Sequence, residues 1–252
     1  MKTLSLLLLS ILFFSPLSSA QEGDRLIFHH IPKNGGITTR TLLELNFDKS
    51  DITRPYFMHH LTQKPTEWFL NHRLVRGHIP FFYLQQVPGK RITFLREPIK
   101  RVLSAHQFWK RFHQSRDAPH LPTMHFPMTN EDPLISMKNH QTLYLSSFDP
   151  EDKSIPIERH LKSAKENLRT RFFFFGITEK LNESLPILFE HLGFPTPKTI
   201  PRLNTSNPEV YSKKLLEEIK ERNRADIELY RFAKELYMKK FAPRMRLSSE
   251  SS

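Results

Sequence analysis

The stretch that decides the fold is residues 26–43, LIFHHIPKNGGITTRTLL. An apolar run from Leu26 to Ile31 ends in Pro32-Lys33-Asn34-Gly35-Gly36, and a segment able to form a helix follows. A short apolar run bounded by turn residues suits a buried strand. Strand, glycine turn and helix start make an anion cradle. Glycine lets backbone N–H groups come close to a phosphate, and the helix N-terminus adds positive potential. Lys33 supplies a full charge, Thr38 and Thr39 supply hydroxyl donors, and Asn34 can donate through its amide. The spacing differs from G-x-x-x-x-G-K-[ST], in which the lysine follows the glycines. Here it precedes them, which points away from ATP hydrolysis and toward a different phosphate-bearing donor.

Working outward, residues 91–108, RITFLREPIKRVLSAHQF, hold a second strand–helix junction. Residues 92–95 read as a short buried strand with Arg96 at its end. Pro98 suits the first turn of the helix after it. Ser104 lies about two helical turns beyond Arg96. An arginine and a serine on one side of such a junction can share a phosphate, and the planar guanidinium binds two oxygens at once. Further strands are expected at 74–79, ending in Gly77-His78, and at 172–177. Helices are expected at 97–112, 134–145, 157–168 and 180–192, the last stopped by Gly193. Residues 212–241 read as one long amphipathic helix or a pair. Residues 48–63 are polar and read as irregular, and 114–133, with four prolines, as a long functional loop or lid. Alternating strands and helices argue for an α/β fold, a three-layer, P-loop-like arrangement with a central parallel sheet and helices on both faces.

Composition bounds the rest. The chain has 252 residues, 38% hydrophobic and 25% charged, as a globular domain does. Its net charge of +12 fits an anionic donor and an anionic acceptor. Nucleic acid would draw the same charge, but no zinc spacing, RNP pattern or helix-turn-helix signature supports it. Without cysteine the chain has neither disulfides nor thiolate metal sites. Residues 1–20, MKTLSLLLLSILFFSPLSSA, have a charged start, an apolar stretch of 14 residues (4–17) and a small-residue end. This is the pattern of a signal peptide, or of an uncleaved signal anchor. Either implies export to the cell exterior, a periplasm or a secretory lumen. One catalytic domain, residues 21–247, and a polar tail, 248–252, remain.

The two phosphate segments together resemble the sulfotransferases that use 3′-phosphoadenosine-5′-phosphosulfate (PAPS), above all the heparan sulfate 2-O- and 6-O-sulfotransferases of the Golgi and their bacterial relatives. PKNGGIT stands where that family reads roughly P-K-T-G-G-T-T, and REPIKRVLS where it reads roughly R-D-P-x-x-R-x-x-S. Three later pieces are also similar: NHQTL at 139–143, FGITE at 175–179 and NRADIELY at 223–230. The likeness runs from about residue 26 to 241. Asn34 and Ile37 depart from it, each standing where the family has threonine.

The resemblance implies sulfuryl transfer from PAPS to a carbohydrate hydroxyl, with no metal. Lys33, Asn34, Gly35, Gly36, Thr38 and Thr39 would hold the 5′-phosphosulfate, and Arg96 and Ser104 the 3′-phosphate. In-line displacement needs a base, and a neutral imidazole at a strand end can serve. His78, after Gly77, is the candidate and the family's Gly-His segment agrees; His29, His30, His59 and His60 are its rivals. Glu97 is expected to cap the helix that follows it. Asn139, Gln141 and Thr142 are candidates for lining the donor or acceptor cleft, and Thr205 and Ser206 for a loop closing over the nucleotide. Two other readings stand beside this one. A P-loop-like nucleotide kinase would need motifs the sequence lacks. A polyanion-binding relative without turnover would have Ile37 as its mark.

Overall fold

A computed structural model describes residues 25–54, 58–114, 138–201 and 210–241. Four strands, β1 (Leu26–His29), β2 (Leu74–Gly77), β3 (Lys90–Leu95) and β4 (Phe174–Ile177), form one sheet in the order β2-β1-β3-β4. Every pairing is parallel. Successive side chains of a strand face opposite sides, so a strand covered on both faces is apolar throughout. β1 shows this: Leu26 and Phe28 join one apolar cluster, Ile27 joins another, and all are buried. The sheet is thus covered on both faces, as expected.

The helices are α1 (Gly36–Glu44), α2 (Met58–Leu61), α3 (Thr66–Leu70), α4 (Phe81–Leu84) and α5 (Pro98–Gln114). Then come α6 (His140–Leu145), α7 (Ile157–Thr170), α8 (Leu181–Leu192), α9 (Lys213–Arg222) and α10 (Arg224–Lys240). Residues 212–241 therefore form a pair of helices, broken at Asn223. The stretch 48–63 is more ordered than its polarity suggests, with a 3-10 turn at Lys49–Asp51 and α2. The short helices α3 and α4 carry too few residues for a periodic signal in the sequence. Of the helix expected at 134–145 only α6 is seen, residues 134–137 lying outside the described stretch, as do the lid at 115–133 and the leader at 1–20.

Two local features follow directly from side-chain chemistry. Glu97 caps α5, its carboxylate accepting from Ile99 N (3.1 Å) and Lys100 N (2.7 Å), with Pro98 at the first helical position. Gly193 ends α8 in the left-handed region at φ 70°, and Phe194 N reaches back to Phe189 O.

Strand order fixes where a ligand can sit. From β1 the chain crosses to β2 on one side; from β3 it crosses to β4 on the other. The loops after β1 and β3 diverge, and the crevice between them, at the carboxyl ends of the strands, is where open α/β sheets bind ligands. The two motifs read from the sequence follow these two strands.

Candidate active site

The loop after β1 presents its backbone in one sense. Arg96 Nη1 donates to Lys33 O (2.9 Å), Thr178 Oγ1 to Asn34 O (3.1 Å), and Thr39 N and Oγ1 to Gly35 O (both 3.3 Å). Three successive carbonyls are thus engaged by the protein. The amides of Gly36, Ile37 and Thr38, in the first turn of α1, have no acceptor one turn earlier in their own helix. Their partial positive charge is what an anion would meet. Lys33 and Gly35 both have φ of 73°. For a lysine that conformation costs about 1 kcal/mol, which the anchored carbonyls on either side of Asn34 offset. Gly36 is needed for space: a Cβ there would lie 1.7 Å from His30 Nε2.

Lys33 Nζ sits 4.3 Å from the centre of the Phe108 ring on α5. Burial, then repulsion from Arg111 and Arg96, lowers its pKa to about 8. Arg96 is held by backbone as well as side chain: Gln141 Oε1 accepts from Arg96 N (3.0 Å), and Gln141 Nε2 donates to Arg96 O (2.9 Å). Burial lowers the Arg96 pKa, with Glu179 and Glu97 acting the other way. Ser104 lies in the second turn of α5, 9% exposed.

Three of the polar side chains expected to hold the donor face the protein instead. Asn34 Nδ2 donates to Phe94 O (2.7 Å) and to Gln141 Oε1 (2.8 Å), so one hydrogen ties the loop to the end of β3 and the other to α6. The Thr38 hydroxyl donates to Pro201 O (3.1 Å), and that of Thr39 turns back onto its own helix. The physical reason is that these side chains are buried, at 1%, 3% and 0% exposure, and a buried donor takes the nearest acceptor. Within this loop, an anion would therefore meet Lys33 and the backbone N–H groups rather than these side chains.

The histidines separate by environment. His29 is fully buried in the sheet, its Nδ1 donating to Ile79 O (3.1 Å) and its ring beside Phe81 and Phe172. Burial holds its pKa to about 3. It is a core residue. His78 follows β2, and its ring centre lies 4.4 Å from that of His30, which packs over Gly36. This brings His78 within one side chain of the glycine loop. Burial, then the charges of Arg40 and Lys33, depresses its pKa to about 3, and a hydrogen bond with the His30 backbone acts the other way. His140 is also depressed, by burial first and then by Arg101 and His78. His60 is exposed on α2, and the His59 side chain lies outside the described residues, as do Thr205 and Ser206.

Asn139 and Gln141 are bonded to the protein rather than turned to an acceptor. Asn139, at φ 47°, accepts through Oδ1 from Ala225 N (3.0 Å) and Asp226 N (3.2 Å), so it caps α10 from a distant part of the chain. Asp226 caps α6 in return, accepting from Gln141 N (3.1 Å), Thr142 N (2.7 Å) and Thr142 Oγ1 (2.8 Å). Arg101 Nε stands 4.0 Å from Asp226 Oδ2, both side chains fully buried. Glu179 accepts from Glu97 N (3.0 Å) and Tyr230 OH (2.9 Å). The pieces NHQTL, FGITE and NRADIELY thus meet in one network behind the two phosphate segments. Sequence alone gave Asp226, Thr178 and Glu179 no role, since Thr178 and Glu179 follow β4 in one short turn and Asp226 lies in a distant helix, and neither place carries a local pattern. Arg40, whose charge reaches His78, and Arg76, paired with Glu44 at 2.7 Å, were equally silent.

The profile of the sulfotransferase family matches residues 20–233, and the chain belongs to that family. No curated protein matches the sequence. Among solved structures the chain is similar to mouse sulfotransferase SULT7A1 complexed with PAP, at 14% identity and a TM-score of 0.39. The match covers 81% of this chain and 64% of that one, so the chain spans less than two thirds of that structure's length.

Proposed function

We propose that this sulfotransferase takes its sulfuryl group from PAPS and passes it to a hydroxyl of a carbohydrate, an anionic one given the net charge of +12. The observation that carries the reading is the glycine loop itself: three consecutive carbonyls held inward, Lys33 beside them, and His78 one ring away through His30. The donor set suits a phosphosulfate, since backbone amides and a lysine offer donors without a carboxylate to repel an anion. PAPS supplies an activated sulfuryl group on a phosphate leaving group. Lys33 and the α1 amides hold charge where that leaving group becomes more negative. Arg96 and Ser104 hold the 3′-phosphate. The His78 imidazole takes the proton from the acceptor hydroxyl as the new S–O bond forms. Its pKa, depressed first by burial and then by Arg40 and Lys33, keeps it uncharged at neutral pH, and an anionic donor beside it counters the part due to the two cations. Among the described residues no cluster of His, Cys, Asp or Glu suited to a metal ion occurs. The same holds for a membrane span: no described helix is long and apolar enough to cross one. We read the leader at 1–20 as placing the domain outside the cytoplasm or in a secretory lumen.

The test is transfer of labelled sulfate from PAPS to a panel of desulfated and partly sulfated polysaccharides, with His78→Ala beside the unaltered chain. Transfer that the substitution lowers by about 100-fold or more, as loss of a general base does, supports the reading. Binding of heparin with no transfer to any hydroxyl would favour a relative that kept only polyanion binding.

A further inference from the structure

Gln141 does more than fill a buried position. Its side chain is wholly enclosed and makes three hydrogen bonds: Oε1 accepts from Asn34 Nδ2 and Arg96 N, and Nε2 donates to Arg96 O. One end of this set is the glycine loop; the other is both backbone polar groups of the residue that carries the second phosphate arginine. The two segments are 60 residues or more apart in sequence, and a second bridge, Arg96 Nη1 to Lys33 O, runs between them. The Gln141 backbone is itself fixed, since Asp226 accepts from its N–H at 3.1 Å. Asn34 adds rigidity by donating its other hydrogen to Phe94 O, two residues before Arg96.

We propose that Gln141 is a positioning residue that couples the two phosphate subsites, so that the loop after β1 and the arginine after β3 hold one fixed separation and select a ligand phosphorylated at both ends. This rests on the PAPS reading of the site. A site built from two independent loops would bind each phosphate on its own merits. Here one buried amide group braces that spacing alongside the direct bonds of Arg96 to Lys33 O and of Asn34 to Phe94 O, and loosening it costs the ligand that must span both. Binding to a single phosphate is affected less, because each loop keeps its own donors.

The experiment is calorimetric titration of the full chain with 3′-phosphoadenosine-5′-phosphate and with adenosine 5′-phosphate, for the unaltered protein and for Gln141→Met. Methionine keeps the length and apolar stem and removes all three hydrogen bonds. The readout is the ratio of the two dissociation constants, which a lower folded fraction does not change. The expected result is a ratio at least fivefold smaller in Gln141→Met, with thermal unfolding confirming a folded protein at the assay temperature. An unchanged ratio overturns the proposal. Should Gln141→Met fail to fold, Asn34→Ala cuts the same bridge from the loop end, leaving the Gln141 bonds to Arg96 in place. It too is expected to shrink the 3′-phosphate advantage although Asn34 is remote in sequence from Arg96, and an unchanged ratio there overturns the proposal equally. If the unaltered protein already shows no preference for the 3′-phosphate, it is the PAPS reading that fails.

Discussion

Replacing Asp226 by alanine should come close to unfolding the protein. The carboxylate is fully buried and holds three donors, Gln141 N, Thr142 N and Thr142 Oγ1, at 2.7–3.1 Å, while the buried Arg101 guanidinium stands 4.0 Å away. Removing one partner of a buried ion pair costs about 3–5 kcal/mol. Each buried amide that loses its acceptor adds about 1–3 kcal/mol. Water entering the cavity recovers part of this, leaving a loss of roughly 5 kcal/mol against a total stability of about 5–15 kcal/mol. Urea unfolding followed by far-ultraviolet circular dichroism measures it. The cause is separated by a second variant, Arg101→Met, and by the double change. If the buried charge dominates, the double variant is more stable than the sum of the single losses predicts, by about 2 kcal/mol or more. A loss below about 1 kcal/mol for Asp226→Ala, or strict additivity, would refute the reasoning.

Gly36→Ala places a Cβ 1.7 Å from His30 Nε2, so either the ring or the loop must move; nucleotide affinity, read by calorimetry, should drop at least tenfold. The Lys33 pKa of about 8 means that the free protein loses this charge as pH rises through 8, whereas bound phosphates favour the charged form. Nucleotide affinity should therefore fall above pH 8, by up to about tenfold per unit, and Lys33→Arg should flatten that profile. His29 stays neutral in the fold down to about pH 3, against 6.5 for an exposed imidazole. Below pH 6.5 the unfolded chain binds a proton that the folded one refuses, so stability drops by about 1.4 kcal/mol per unit from this residue. Urea midpoints at pH 7.5 and 5.5 should differ by at least this much, since His78 and His140 are depressed by burial in the same sense, and a flat profile would count against the assignment.

The sequence made the architecture legible because its strands are short, apolar and bounded by turn residues. β1, β2 and β3 start within a residue or two of their expected places, and β4 (expected from 172) begins at Phe174, with Phe173 already donating to Arg91 O at 2.9 Å. The loop and the Arg96 junction were legible for the same reason: each is a contiguous motif at a strand end. What was illegible is which way a side chain turns. Nothing local says that the Asn34 amide points inward to Phe94 and Gln141, or that the Thr38 hydroxyl meets Pro201. Those partners lie 60, 107 and 163 residues away. Gln141 reads as a polar residue in a short helix, fit to line a cleft. Burial turns it into a brace. His78 could be told from His29 only through its glycine and its place after a strand. The depth of His29 in the sheet emerges only once Phe81 and Phe172 close around it.

The reciprocal caps of α6 and α10 also bear on how the molecule comes into being. Asn139 and Asp226 are 87 residues apart, and each satisfies the first amides of the other's helix. A growing chain that has emerged only as far as β4 already contains both phosphate segments, yet lacks the carboxylate that fixes Gln141 and, through it, Asn34 and Arg96. Domains assemble as units once their long-range partners are present. The Gln141 brace is therefore completed only when residue 226 arrives, and a chain cut short before α10 keeps the sheet pairing and the direct Arg96–Lys33 and Asn34–Phe94 bonds but lacks the carboxylate that fixes Gln141 between them.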